Sequence, residues 1–182
     1  MRTFIAIDIP REIKKRLVSY QETFKACRIN AKWVNIDNSH LTLKFLGEVN
    51  EERIDIIKQI IDSSARLYDS FNVKLKSFGF FPDQKKPRVF FVSTDNEKGL
   101  KRLSLTLEEK LSDLGFAKEG KFKSHITLAR FKSLDDLSCL INEIEKIVPE
   151  GNFSVDHISL YKSTLTSKGP IYDEIYRANL KG

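Results

Sequence analysis

Two stretches of this chain repeat one another: His40-Leu41-Thr42-Leu43 and His125-Ile126-Thr127-Leu128. Each opens a run with the alternation of a half-buried β-strand, in which successive side chains point to opposite faces. His40 and Thr42 therefore share one face, with Leu41 and Leu43 on the other, and the second copy behaves alike. A plain core strand would carry Val or Ile at such positions, yet two of the chain's three histidines occupy them. The repetition predicts two related strands, each turning apolar residues toward helices and a His-Thr face toward a cleft.

The rest of the pattern surrounds these strands with an α+β framework. Helical spacing is predicted over Arg11–Phe24, Glu51–Tyr68, Lys98–Leu114 and Asp135–Val148. Alternating or β-branched runs predict strands at the N-terminus and over Ala31–Val34, His40–Leu46, Phe71–Phe81, Arg88–Thr94, Ser124–Phe131, Phe153–Leu160 and Ile171–Leu180. The order of elements fits curved antiparallel sheets flanked by helices better than a regular βαβ winding. At 182 residues, with 41% hydrophobic and 31% charged residues, the chain can build one real core. No Gly/Ser-rich linker interrupts it, so residues 1–182 are expected to form a single domain. No apolar run reaches the roughly 18 residues a membrane-spanning helix needs. The first residues read as a strand rather than a leader, from which a cytoplasmic, monomeric protein without a membrane partner is expected. Cys27 and Cys139 lie far apart and outside any CxxC pair, and are expected to be ordinary semi-buried residues rather than a disulfide or a thiolate zinc site. A net charge of +6 favours anionic partners, nucleic acid among them.

The chemistry that suits paired histidines on facing strands is displacement at a phosphodiester. Imidazole, with an ordinary pKa of about 6.5, serves as base when neutral and acid when charged. One ring can activate water while the other protonates the leaving oxygen. The two threonine hydroxyls can donate to non-bridging phosphate oxygens and steady the charge that builds there. The scheme uses no metal or other cofactor. A site made of the three histidines with Asp37 or Asp156 is the metal-based alternative, but His-x-Thr lacks the helical spacing of a zinc protease motif.

The two tetrapeptides resemble the paired HxTx motifs of the two-histidine phosphoesterase superfamily. Arg2-Thr3-Phe4-Ile5-Ala6-Ile7, Leu43-Lys44-Phe45-Leu46-Gly47, Pro87-Arg88-Val89, Leu128-Ala129-Arg130-Phe131 and Lys162-Ser163-Thr164-Leu165 extend the resemblance over nearly the whole chain, toward the RNA 2′,3′-cyclic phosphodiesterase branch once called 2′-5′ RNA ligase. The resemblance implies a bilobal fold with pseudo-two-fold symmetry, a cleft between the lobes, and hydrolysis of a terminal 2′,3′-cyclic phosphate to a 2′-phosphate. It further implies His40 as proton donor, His125 as proton acceptor, Thr42 and Thr127 as phosphate ligands, and Arg130 as a contact to the nucleotide. RNA ends or nucleotides bearing the cyclic phosphate, processed transfer RNA ends among them, would be the partners. Two other functions fit the same residues: ligation through a 2′-5′ linkage, and RNA binding without catalysis.

Strict alternation puts Arg130 opposite His125 and Thr127, so a cleft role for it requires a bulge or a side chain reaching round the strand edge. It puts Lys44 on the same face as His40 and Thr42, where an exposed strand lysine is expected. His157 has no threonine two residues on and reads as structural or solvent-facing. Trp33, Phe45, Phe80, Phe81 and Phe91 are rings on which a base could stack, although most are expected in the core. Lys85, Lys86 and the lysines from Lys118 to Lys123 could form basic rims for a phosphate backbone.

Overall fold

A computed structural model describes residues 1–133, 136–167 and 169–182. Among these, nine strands form two sheets. The first is four-stranded, in the order β3-β1-β8-β9; the second is five-stranded, in the order β2-β6-β5-β4-β7. The strands are β1 Arg2–Asp8, β2 Ala31–Trp33, β3 His40–Glu48, β4 Phe71–Phe81, β5 Val89–Thr94, β6 His125–Phe131, β7 Asn152–Val155, β8 His157–Thr166 and β9 Gly169–Asn179. All neighbouring strands within each sheet pair antiparallel.

Four helices cover the outer faces: α1 Arg11–Lys25, α2 Ile54–Ala65, α3 Glu97–Ser112 and α4 Ser138–Lys146. Each buries the stripe its spacing announces, Ile13, Leu17 and Phe24 on α1 and Leu100, Leu103, Leu107 and Leu111 on α3. Helix α1 follows a strand of the first sheet but packs on the second, where Phe24 meets Phe78 and Phe90 edge-on. Helices α2 and α3 lie on the first sheet, α2 against β8 and β9 and α3 against β3.

Three expectations need correction. The segment over Glu51–Tyr68 is not one helix, because Glu51–Arg53 form a 3₁₀ turn before α2 begins. The expected strand over Phe153–Leu160 is two strands in different sheets: β7 pairs with β4, Asp156 breaks the ladder, and β8 pairs with β1 and β9. The helix expected from Asp135 starts on a residue outside those described, and α4 is seen from Ser138.

A further correction concerns the cysteines. Cys27, just past α1, and Cys139, in the first turn of α4, form a disulfide with a Cα–Cα distance of 5.6 Å. Distance along the chain argued against pairing, but the fold brings the end of α1 to the first turn of α4 and closes the gap. Such a link stabilises by shrinking the unfolded ensemble, and a loop spanning 112 residues corresponds to about 4–5 kcal/mol. Cys139→Ser should lower the unfolding free energy by about that amount in denaturant titrations. The substitution should have little further effect in protein already reduced.

Candidate active site

Strands β3 and β6, which carry the two repeats, face each other across the gap between the sheets. Thr42 from the first repeat and His125 from the second line one cavity of about 80 Å³. His40 feels the charge of His125 across that gap. The fold thus brings the two repeats together.

Each imidazole is held in the same way. His40 Nδ1 is 2.9 Å from the carbonyl oxygen of Asn38, and His125 Nδ1 is 2.8 Å from that of Lys123. A carbonyl only accepts, so each Nδ1 carries the proton and donates it, leaving Nε2 as the basic nitrogen. The residue before each histidine is a buried serine, Ser39 and Ser124. The repeat is therefore Ser-His-x-Thr-Leu, a longer match than the tetrapeptide alone.

Aromatic rings wall both histidines. Phe4 stacks on His40 at 4.5 Å between ring centroids, and Tyr172 meets His40 edge-on at 5.1 Å. Phe81 and Phe91 approach His125 at 4.9 and 5.6 Å. Glycine at position 79 is what lets the Phe91 ring lie there, since a Cβ would come within 2.7 Å of it. This burial lowers the pKa of His40 to about 4, with help from Lys14 and His125 and against the Asn38 hydrogen bond and Asp8. His125 is lowered too, first by burial and then by Arg130 and Lys123, against its hydrogen bond to Lys123. Burial thus shifts both rings toward their neutral forms.

A bulge after each threonine decides what else faces the cleft. In β3, Thr42 pairs with Ala6 and Lys44 with Ile5, so Leu43 is an extra residue; in β6, Thr127 pairs with Phe91 and Ala129 with Phe90, so Leu128 is extra. Past each bulge the alternation is reversed. Ala129 turns to the core, and Arg130 returns to the side of His125 and Thr127, near enough to His125 to lower its pKa. Arg130 thus fits the bulged reading of its strand. Phe45 occupies the equivalent place in β3 and is 55% exposed in the cleft.

The same reversal overturns the expectation for Lys44, which is 2% exposed rather than a surface lysine. Its Nζ donates to Glu108 Oε1 at 3.2 Å and to the Ala117 carbonyl at 2.6 Å, and lies 3.4 Å from Glu119 Oε1. Glu108 in turn accepts backbone N–H groups of Glu119 and Gly120. Burial alone would raise the Glu108 pKa, but these donors outweigh it and the carboxyl lies below its ordinary value. The pair ties β3 to α3 and to the segment that runs into His125.

At each bulge a buried helix side chain donates to the carbonyl of the extra residue, for Leu128 alongside the Val34 N–H. Ser104 of α3 donates to the Leu43 carbonyl at 2.8 Å, and Gln21 of α1 to the Leu128 carbonyl at 2.8 Å. Neither helix residue stands out in sequence, since a lone Ser or Gln on an amphipathic helix carries no such signal. His157 lies away from the pair and hydrogen-bonds Asp156. Among the described residues no three His, Cys, Asp or Glu side chains gather as a metal site. Trp33 and Phe80 pack against the core, whereas Lys121 and Lys123 line the cavity with Thr42 and His125.

Comparison with known proteins agrees with this duplicated plan. The model of the LigT-like phosphoesterase family matches the chain twice, over residues 7–91 and 92–172, each copy holding one repeat. A Methanocaldococcus jannaschii protein named RNA 2′,3′-cyclic phosphodiesterase is 42% identical over 96% of this chain and 98% of its own. A Thermotoga maritima protein of the same name is 40% identical over 100% of this chain and 97% of its own. A Thermus thermophilus crystal structure superposes with a TM-score of 0.84 at 32% identity, covering 100% of this chain and 99% of that one. Escherichia coli LigT complexed with 3′-AMP superposes at 0.78 with 25% identity, covering 100% and 98%. By motif, fold and likeness over its whole length, the chain belongs to the LigT-like phosphoesterases of the two-histidine superfamily.

Proposed function

We propose that the protein hydrolyses a terminal RNA 2′,3′-cyclic phosphate to a 2′-phosphate without a metal, using His40 as acid and His125 as base. The observation that carries this reading is the matched pair of Nδ1-protonated imidazoles on facing strands, each followed by a threonine on the same face. The relatives' name and the 3′-AMP bound to Escherichia coli LigT support the substrate class.

Water attacks phosphorus as His125 Nε2 takes its proton. The bond from phosphorus to the ribose 3′ oxygen breaks, and His40 Nε2 returns a proton to that oxygen. The products are a 2′-phosphate and a 3′ hydroxyl. Thr42 and Thr127 hydroxyls donate to the non-bridging oxygens, and Arg130 holds the nucleotide by charge. His40, held toward its neutral form by burial, gains its proton when the phosphate anion enters, because a nearby negative charge favours the charged ring. Ligation through a 2′-5′ linkage is the same displacement run backward, with a ribose hydroxyl in place of water, and abundant water favours hydrolysis.

A short RNA ending in 2′,3′-cyclic phosphate, incubated with the protein and a chelator, should yield a 2′-phosphate end at an undiminished rate. A 3′-phosphate product would contradict the assigned leaving group. Loss of turnover with the chelator, restored by a divalent ion, would contradict metal independence.

A further inference from the structure

Beside the His40 ring lies a second cavity, of about 140 Å³, that the scheme above does not use. Arg2, Thr3, Ser163 and Tyr172 line it, with the Phe45 ring at its edge. Thr3 is 1% exposed and its Oγ1 has no hydrogen-bond partner among the described residues. An unpartnered buried hydroxyl costs stability, and a ligand that accepts from it removes the cost. Arg2, Ser163 and the Tyr172 hydroxyl likewise make no side-chain hydrogen bond or ion pair among the described residues.

All four groups can donate, and no carboxylate lines the cavity. The nearby Glu48 is taken by the N-terminal ammonium at 3.5 Å. With a guanidinium among the donors and no carboxylate to oppose it, such a lining suits an anion. Tyr172 connects the cavity to the candidate active site: its ring meets His40 edge-on, and its phenol feels both Arg130 from across the cleft and Arg2. Positive charge therefore continues from Arg130 past Tyr172, whose ring touches His40, to Arg2.

We infer that this cavity binds the phosphate on the 5′ oxygen of the terminal ribose, with Arg2 as its counter-charge and the Thr3, Ser163 and Tyr172 hydroxyls as donors. The subsite rests on the cyclic phosphodiesterase reading and extends it from a cyclic nucleotide to an RNA end.

Three substrates test it: a nucleoside 2′,3′-cyclic phosphate, the same compound with a 5′-phosphate, and a dinucleotide ending in the cyclic phosphate. The two bearing a 5′-phosphoryl group should show kcat/KM about tenfold above the plain nucleoside, and Arg2→Gln should remove most of that ratio. For the dinucleotide, Arg2→Gln should also weaken the dependence of affinity on salt, through loss of one charge contact. Thr3→Val, which keeps the shape without the hydroxyl, should narrow the ratio while leaving the melting temperature no lower. No preference in the unsubstituted protein, or a preference unchanged by Arg2→Gln, overturns the subsite. Equilibrium binding of nucleoside 2′-phosphate against its 5′-phosphorylated form separates the two readings. If none of the cyclic substrates turns over, a preference for the 5′-phosphorylated ligand that Arg2→Gln abolishes still supports the subsite, and its absence overturns it.

Discussion

Alanine in place of His40 or of His125 should each lower kcat on a cyclic phosphate end by about 10³-fold, within the range general acid–base groups supply. The double substitution should cost far less than the product of the two, because the rings act on one displacement and the second loss adds little once the first has broken it. RNA binding should persist in both single variants. Turnover intact in either would overturn the acid and base roles assigned to the two rings. The pH dependence follows from the burial of both rings. Since their pKa values lie below 6.5 in the free protein, the bell for kcat/KM should be centred on the acid side of 6.5, and the bell for kcat should move to higher pH once bound phosphate favours the charged rings. Stability carries the same sign: the unfolded chain takes up a proton near pH 6.5 while folded His40 resists until about 4. The folded state should therefore lose about 3 kcal/mol from this one ring as pH falls through that window.

Glu108→Ala should destabilise the protein by about 3–5 kcal/mol, since it strands the Lys44 ammonium in the core. The exposed Glu119 carboxylate, with its side chain 58% accessible, is a poor replacement. Removing both charges together, Lys44→Met with Glu108→Leu, should restore much of the stability, because two well-packed apolar side chains need no desolvated partner. Activity should not recover in parallel. The carboxylate of Glu108 also fixes the backbone of Glu119 and Gly120, upstream of the Lys123 carbonyl that orients His125. Loosening it should lower kcat by about tenfold or more even in the stable double variant, through misplacement of the ring. Thermal melts and single-turnover rates on the same preparations separate the two effects.

Lys44 and Arg130 also show what a sequence can and cannot disclose. Alternation read from His40 and His125 places the histidines and threonines on one face, and the helical stripes place the covering helices, because both periodicities are local. The bulges at Leu43 and Leu128 are not local in that sense. They depend on how β3 lies against β1 and β6 against β5, and one extra residue exchanges the faces of everything beyond it. That single cause sends Lys44 inward and Arg130 and Phe45 outward. The break at Asp156 and the pairing of Cys27 with Cys139 were hidden for a related reason: each is settled by which sheet an element joins, and composition does not encode that.

The order in which the chain visits its sheets has a last consequence. The family model divides the sequence near residue 91, yet neither half owns a sheet. β1 and β3 from the first half share a sheet with β8 and β9 from the second, while β2 and β4 from the first half share the other with β6 and β7 from the second, the boundary falling within β5. A chain cut at that boundary would leave two fragments with unpaired ladders and half-covered apolar faces, each lacking what the other supplies.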